Sequence, residues 1–405
     1  MTKKINKITR HFLFESTIKK EALEQIVKNS YISIFGHLTI LLAVVYIFFN
    51  ITPLHILILG STVHLLILLG RTYIIVYYPK FIKENASNKS IKTYILYQKL
   101  GVISSGLAWG SSFILFQENI PHEYHFFMAT ILVGMGGISI TTLGFILSLY
   151  LLFIIPMFSV YAVWLFFQEG ELYTISAILM LGASLLYYIT AKHYNNNYYS
   201  TILEREKAQY AQKEMVQRLS IASELKDNET GMHITRMSQY AYLLALQVTD
   251  DKEYAQSILL ASSMHDVGKI GIPDCILLKE GKLDKEEWEI MQNHTLIGKS
   301  LLKNSQSELL QLCESVAYTH HEKYDGSGYP QGLRGTDIPL EGRITAISDV
   351  FDALVSKRPY KEPWTNEKAF TFLEEEAGKH FDPELITHFI AIKDKVIAFQ
   401  ELHQD

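Results

Sequence analysis

Long, almost uncharged apolar runs fill the first half of this 405-residue chain and limit its fold more than any other feature. Each run is long enough to cross a bilayer as a helix, because about 20 helical residues span the hydrocarbon core. Six such runs exceed what the core of a water-soluble domain can bury. The predicted spans are residues 31–49, 53–70, 100–116, 125–143, 145–167 and 173–191.

Lysine and arginine are unevenly distributed around these spans. They cluster in the tail at 1–30, in the loop after the second span and beyond the sixth span, whereas the loops at 50–52, 117–124 and 168–172 contain neither. Because cytoplasmic loops carry the excess of these cations, we expect both termini in the cytoplasm. The N-terminal tail is too long and too polar for a signal peptide, so no cleaved segment is predicted.

Polar and small residues within the spans bear on whether the spans bind a ligand, pack closely or transport ions. His37 and His64 each lie about six residues from the cytoplasmic end of a span, so they could face each other and hold a proton, a metal or haem. Two separately hydrogen-bonded histidines are the alternative. Gly106 and Gly110 allow close helix approach, and packing is the preferred interpretation. The predicted spans contain no acidic residue, lysine or arginine in their interiors, which argues against coupled ion transport.

A polar segment rich in Glu, Lys and Gln follows the last span and is predicted to be one continuous helix. We place the membrane region at residues 31–192 and this connecting helix at 193–218. Apolar residues recur every three or four positions and define one stripe. A coiled coil in a homodimer is the favoured explanation, and packing on the chain's own C-terminal domain is the alternative. The stripe consists of Ala208, Ala211, Met215, Leu219, Ala222 and Leu225.

Residues 219–405 are predicted to form an all-helical domain, so the whole chain belongs to the all-α class. Asp284 and Glu287 match a capping box at a helix start, and no alternating strand pattern of any length occurs. Within this domain His265 and Asp266 are adjacent and follow an apolar helical run. A carboxylate can bridge two metals while the imidazole holds one. A hydrogen-bonded His–Asp pair without metal is the alternative.

Further residues of ligand type follow at helix-compatible spacing. Glu229 and His233 lie four residues apart, on one face of a predicted helix. Imidazole and carboxylate ligands from several helices suit a multinuclear site for iron, manganese or zinc rather than magnesium or calcium. The two cysteines form no CxxC pair, so a zinc knuckle is not indicated. The candidate ligands are Glu229, His233, His265, Asp266, His294, His320, His321 and Asp349.

A stretch rich in glycine and proline directly follows the pair of adjacent histidines and is predicted to be an irregular loop over the metals. In this loop Tyr329 could stack on a base and Arg334 could meet a phosphate. A later cationic cluster also suits a phosphate group, with a solvated basic turn as the alternative. Its members are Lys357, Arg358 and Lys361. The net charge of −5 indicates no polyanion partner such as DNA.

The segments HDVGK at 265–269, HHEKYDGSGYP at 320–330 and DVFDAL at 349–354 closely resemble the HD-GYP domain. The resemblance covers residues 219–389. It implies a bacterial phosphodiesterase that hydrolyses cyclic di-GMP to pGpG and, in some members, on to GMP. Together with the predicted spans, the resemblance places the expected enzyme in the bacterial inner membrane. It also implies a centre of two or three divalent metals, commonly iron or manganese, held by the eight candidate ligands. The substrate contacts that it implies are Tyr329, Asp352, Arg358 and Lys361.

The mechanism expected from this resemblance uses Asp266 as the bridging ligand. Lys269 lies one turn beyond His265, so it should reach the same cavity. There its ammonium could hold a non-bridging phosphate oxygen or protonate the leaving 3′-oxygen. Two alternatives keep the site but change the function. One is hydrolysis of another cyclic dinucleotide, such as cyclic GMP-AMP, and the other is nucleotide binding without turnover.

Overall fold

The computed structural model is helical throughout the part of the chain that it describes. Its named elements are all helices, and the only pairing of strand type in this part is an isolated bridge between Ala377 and Phe381. The predicted all-α class is therefore confirmed. The chain divides into two compact units, Met1–Glu206 and Lys207–Asp405. The described residues are 2–77, 88–115, 120–227, 231–357 and 362–403.

The first unit consists of long helices. A short 3₁₀ helix, Ser112–Leu115, follows the third of them. The last helix continues into the second unit. The helices are α1 (Thr2–Phe48), α2 (Leu54–Val76), α3 (Asn88–Gly110), α4 (His122–Leu143), α5 (Leu147–Phe166) and α6 (Glu171–Asp227).

Five of the described helices, α1, α2, α4, α5 and α6, are long and apolar enough to cross a membrane. They cover five of the six predicted spans. The remaining predicted span, 100–116, falls on α3, which is not among the five. This helix begins in a polar, lysine-containing stretch and ends at Gly110, so its apolar part is shorter than the sequence pattern indicates.

Two features inside the first unit concern charge and close packing. A Cβ on Gly106 would lie 2.3 Å from the Phe153 carbonyl oxygen, so this glycine lets α3 approach α5, as the packing interpretation predicted. Arg71 is only 4% exposed, and its Nη1 donates to Ser105 Oγ over 3.5 Å. Because α2 continues to Val76, the interior of this helix contains a cation. The predicted span, 53–70, ends one residue before this cation, and the helix continues past it.

The second unit packs short helices around one main apolar core. Tyr240, Leu244, Phe351 and Phe389 lie at the centre of this core and are fully buried. The predicted capping box is present at the start of α10. Besides the end of α6, the helices are α7 (Gly231–Val248), α8 (Lys252–Ser262), α9 (Asp274–Leu277), α10 (Lys285–Gln292), α11 (His294–Leu302), α12 (Glu308–Thr319), α13 (Leu340–Val355), α14 (Asn366–Glu375), α15 (Pro383–Ala391) and α16 (Lys393–Leu402).

The end of α6 presents two different faces. Val216, Ser220 and Ser223 are buried within the second unit. The six residues of the predicted apolar stripe all lie on the exposed side, with Met215 64% and Leu225 73% exposed. The stripe therefore does not pack on the chain's own C-terminal domain, and that alternative is wrong.

Candidate metal centre

Five separate parts of the second unit bring the candidate ligands together. His233 lies on α7, and His265 and Asp266 follow the end of α8. His294 is the first residue of α11. The two adjacent histidines follow α12, and the last aspartate lies on α13. The resulting groups are Asp266, His294, His320 and His321, and His233, His265 and Asp349, and the ligand atoms within each group lie within 4.8 Å of one another.

Asp266 belongs to the first group, and its carboxylate also faces His265 of the second group. Its Oδ2 is 3.1 Å from His265 Nε2. Its Oδ1 is 3.4 Å from His294 Nε2 and 3.7 Å from His320 Nε2. Ligand atoms that share a metal at about 2.0–2.2 Å have separations of this order. One carboxylate facing imidazoles on both sides is the arrangement that a bridging ligand requires.

Backbone carbonyls fix the orientation of three of the imidazoles. Nδ1 of His265 donates to the Ser262 carbonyl at 2.9 Å, and Nδ1 of His294 donates to the Met291 carbonyl at 2.7 Å. His320 makes the same kind of bond, at 3.1 Å, with a carbonyl of α12. With Nδ1 bonded to a carbonyl, Nε2 is the ring nitrogen that remains to face the centre and bind a metal. Metal-binding histidines are held in this way by outer hydrogen bonds.

Asp352 holds His233 in place instead of lining the cavity. It is fully buried. Its Oδ2 accepts from His233 Nδ1 at 2.9 Å, and its Oδ1 accepts from Arg236 Nε at 2.8 Å. Burial alone would raise the pKa of Asp352, but the bonds from His233 and Arg236 lower it. This corrects the expectation of a substrate contact, because no part of Asp352 is accessible to a nucleotide. Arg236 escaped the sequence analysis, since a lone arginine on a helix has no distinguishing pattern.

We expect Asp352→Asn to weaken metal binding by about 10- to 100-fold, because the single amide oxygen cannot accept from both His233 Nδ1 and Arg236 Nε as the two carboxylate oxygens do. Asp337→Asn, at an exposed position of the same unit, is the matched control. Metal titration of the two purified variants measures the effect. Equal affinity in both would show that the orientation of His233 does not depend on Asp352.

The unsatisfied atoms and charges at the centre fit a metal. Within the described residues, His265 Nε2 and Asp266 Oδ1 are buried and make no well-formed hydrogen bond. Burial opposes protonation of His265, but the neighbouring carboxylates raise its pKa to about 9. Burial also opposes ionisation of Asp266, but Lys269 and His265 hold its pKa well below the usual range. A carboxylate kept ionised among imidazoles is a donor set for a divalent cation.

Lys269 reaches the cavity as predicted and meets a carboxylate that the sequence analysis missed. Its Nζ lies 2.8 Å from Asp266 Oδ2 and also donates to Asp227. Asp227 is the last residue of α6, and it lines the cavity beside the centre. This cavity has a volume of about 500 Å³. A single aspartate at the end of a polar helix has no distinguishing pattern in the sequence, so its place at the cavity was not apparent.

The loop after the histidine pair is held over the cavity by one buried carboxylate. Glu322 is 2% exposed and accepts from the backbone N–H of Gln331 at 2.7 Å and of Leu333 at 3.0 Å. Gly328 is required at its position, since a Cβ there would lie 2.2 Å from the Lys323 nitrogen. Together these contacts fix the part of the loop that carries Tyr329.

Tyr329 lines the cavity next to the candidate metal ligands. Its ring centroid is 4.8 Å from that of His321, at an angle of 31°. Trp288, which the sequence analysis did not single out, also lines the cavity, with its centroid 6.4 Å from Tyr329. Arg334 is exposed and is not among the cavity-lining residues. Glu229, Arg358 and Lys361 lie outside the described residues.

The buried face of α6 is hydrogen-bonded to the loop that carries His265 and Asp266. Ser223 Oγ donates to the Asp266 carbonyl at 2.9 Å, and Ser220 Oγ donates to the Ser263 carbonyl. Lys226 Nζ donates to the carbonyls of Ile270 and Ile272, both at 2.7 Å. We name Ser220, Ser223 and Lys226 the α6 clamp.

Removing the Lys226 contacts should loosen this loop. We expect Lys226→Met to raise amide exchange in residues 267–272 by about tenfold, because hydrogen bonds from a charged donor contribute more than neutral ones. Lys213→Met, on an exposed position of α6, is the control. Hydrogen–deuterium exchange with peptide resolution measures it. Unchanged exchange in Lys226→Met would show that the clamp does not stabilise the loop.

Residues 209–385 match the family model described as the HD domain. This segment is similar to the HD domain family. The matched segment contains the adjacent His265 and Asp266 and the helices around them. Metal dependence is a property of HD phosphohydrolases, and the two clusters supply residues that could bind the metals.

Three curated bacterial proteins are similar to this part of the chain. The 3′3′-cGAMP-specific phosphodiesterase 2 of Vibrio cholerae is 48% identical over 46% of this chain and 36% of its own length. A cyclic di-GMP phosphodiesterase response regulator of Xanthomonas campestris is 47% identical over 43% of this chain and 46% of its own. A cyclic di-GMP phosphodiesterase of Thermotoga maritima is 44% identical over 47% and 52%. The chain thus spans about a third to a half of the length of these relatives.

Proposed function

We propose that the chain is a membrane-tethered, metal-dependent phosphodiesterase that hydrolyses cyclic di-GMP, giving pGpG first and GMP after a second cleavage. The observation that carries the proposal is the position of the Asp266 carboxylate, which faces histidines of both ligand clusters. It lies beside Lys269 and lines a cavity of about 500 Å³. The HD match and the names of the relatives support the same chemistry.

The residues around the cavity suit a phosphodiester. When bound, two or three ions of iron or manganese supply Lewis acidity and lower the pKa of water toward neutrality. Lys269 provides an ammonium that can hold a non-bridging phosphate oxygen or protonate the leaving 3′-oxygen. Tyr329 and Trp288 offer aromatic faces to a base. Arg358 and Lys361 complete the proposed set as phosphate-binding cations, and Glu229 as a further metal ligand.

Hydrolysis of 3′3′-cGAMP is the second candidate activity. A relative 48% identical over 188 residues is named as specific for this dinucleotide. The aromatic rings of Tyr329 and Trp288 do not by themselves distinguish guanine from adenine, because every base has a face that can stack. The substrate therefore has to be determined by competition rather than from residue types.

The deciding experiment uses the full-length protein in lipid nanodiscs, loaded with iron or manganese without oxygen. Cyclic di-GMP and 3′3′-cGAMP are supplied separately and together, and the products are separated by chromatography. We expect cyclic di-GMP to be consumed faster and pGpG to appear before GMP. Faster hydrolysis of 3′3′-cGAMP than of cyclic di-GMP would instead make 3′3′-cGAMP the proposed substrate. Binding of both without turnover in fully metal-loaded protein would favour a non-catalytic nucleotide receptor.

We place the protein in the bacterial inner membrane, with both termini in the cytoplasm. The five long apolar helices support insertion, and the distribution of lysine and arginine supports the orientation. The exposed stripe on α6 supports a homodimer, since six apolar residues recur on a helix face that the second unit does not cover. In a Cys275→Ser background we expect Met215→Cys to form an intermolecular disulfide and Lys213→Cys, on the opposite side of the helix, to form none.

A further inference from the structure

Trp288 is a large aromatic side chain on a helix that contributes nothing to the apolar core. It lies on α10, and none of the residues of this helix is buried. Trp288 itself is 48% exposed. A single exposed apolar residue needs no explanation by itself, but this one also lines the cavity beside the candidate metal ligands. Since core packing does not account for a tryptophan here, contact with a ligand in the cavity is the better explanation.

The position of Trp288 is fixed from the start of its helix. Asp284 and Glu287 form the capping box, and Lys279 Nζ donates to both carboxylate oxygens of Glu287, at 2.5 and 2.6 Å. The backbone N–H of Trp288 donates to the Asp284 carbonyl at 2.9 Å. The next helix, α11, begins with the candidate ligand His294. The indole ring and a candidate metal ligand are therefore held on successive helices.

Trp288 and Tyr329 occupy different places in the cavity. The Tyr329 ring lies against His321, with the centroids 4.8 Å apart, and its centroid is 6.4 Å from that of His294. The Trp288 ring meets Tyr329 edge-to-face, with the centroids 6.4 Å apart, and Trp288 is the more exposed of the two. Tyr329 is thus the inner aromatic residue of the cavity, beside the histidines, and Trp288 is the outer one.

We propose that Trp288 stacks on the second base of the dinucleotide and so makes the site select dinucleotides over mononucleotides. This rests on the proposed function, in which the phosphate to be cleaved lies at the metals. A phosphodiester within a dinucleotide has one nucleoside on each side, so its two bases need two contacts. Tyr329 receives the base beside the histidines, and Trp288 receives the base on the exposed side. Because stacking accepts every base, Trp288 responds to the number of bases rather than to their identity.

Binding of two ligands to the full-length protein tests this assignment. The protein is held in nanodiscs of phosphatidylethanolamine and phosphatidylglycerol and is loaded with manganese without oxygen. The dinucleotide ligand is the bisphosphorothioate analogue of cyclic di-GMP, in which sulfur replaces one non-bridging oxygen of each phosphate and slows hydrolysis. The mononucleotide ligand is GMP, which can place its phosphate at the metals and its only base on Tyr329. Isothermal titration calorimetry gives the Kd of each ligand.

Trp288→Leu keeps an apolar side chain without an aromatic face, and it should weaken binding of the dinucleotide by about five- to a hundredfold. Trp288→Phe keeps a ring and should bind the dinucleotide within about threefold of wild type. The affinity for GMP should change by less than about twofold in both variants, because its base does not reach Trp288. Ile290→Ala, at an exposed apolar position of the same helix outside the cavity, is the matched control and should bind both ligands like wild type.

Wild-type affinity for the dinucleotide in Trp288→Leu would overturn the proposal, and so would an absence of dinucleotide binding in the wild type. An equal loss of GMP binding would show that Trp288 does not hold the second base, and an equal loss in Trp288→Phe would show that stacking is not the contact. Turnover of cyclic di-GMP by the same samples tests the proposed function separately. Dinucleotide binding that depends on Trp288 in protein without turnover would refute the phosphodiesterase function and retain the base contact.

Discussion

Asp266→Ala is expected to lose bound metal and to abolish hydrolysis of cyclic di-GMP, with a fall of at least about a thousandfold in turnover. The reason is the position of this carboxylate. One of its oxygens faces His265 at 3.1 Å, and the other faces His294 at 3.4 Å. Its removal leaves the two imidazole groups without a shared ligand and without the negative charge that offsets the metal ions.

Elemental analysis of anaerobically loaded protein and chromatography of the products measure both effects. Asp394→Ala removes a carboxylate from the exposed surface of α16 and is the matched control for the loss of one charge. Asp266→Asn keeps the shape of the side chain and should also lose metal. Wild-type turnover by Asp266→Ala would show that this carboxylate is not the bridging ligand.

Lys269→Ala is expected to keep most of the metal and to lower turnover by about two orders of magnitude or more. The ammonium lies 2.8 Å from Asp266 Oδ2 and pairs with Asp227, so it lies beside the carboxylate that we propose as the bridging ligand without being a metal ligand itself. An effect on the transition state lowers the maximal rate, whereas an effect on substrate binding alone raises KM.

Full kinetics at saturating metal separate these possibilities. Lys282→Ala, at an exposed position, controls for the loss of a cation. Lys269→Arg should recover part of the rate if a positive charge at the phosphate is what the site needs. Metal loss from Lys269→Ala as complete as that from Asp266→Ala would instead make Lys269 a residue that stabilises the centre.

The fold class and the grouping of candidate ligands could be predicted because both leave marks in the sequence. Long apolar runs predict helices that are long enough to cross a membrane, and adjacent or regularly spaced His and Asp residues mark the candidate metal centre. The role of Asp352 could not be predicted in this way. Asp349 and Asp352 lie three residues apart on α13, yet one faces the cavity and the other bonds to His233, which is 119 residues away along the chain.

The α6 clamp and Asp227 escaped prediction for a related reason. A polar residue on a polar helix looks solvated in sequence, and only the fold shows that Ser223 reaches the backbone of Asp266. Local periodicity reports which face of a helix is apolar. It does not report which carbonyl groups of a distant loop come within hydrogen-bonding distance.

The contacts of the clamp also require that α6 keep its rotation about its own axis. An α-helix turns about 100° for each residue. Inserting one residue between Val216, which is buried in the core of the same unit, and Ser220 would therefore swing the clamp away from the His265–Asp266 loop while Val216 stays buried. Inserting seven would return it to within about 20° of its original direction. Insertions in this part of α6 should therefore be tolerated best when their length is close to a whole number of helical turns. The geometry of the loop at the candidate metal centre should depend on insertion length in the same way.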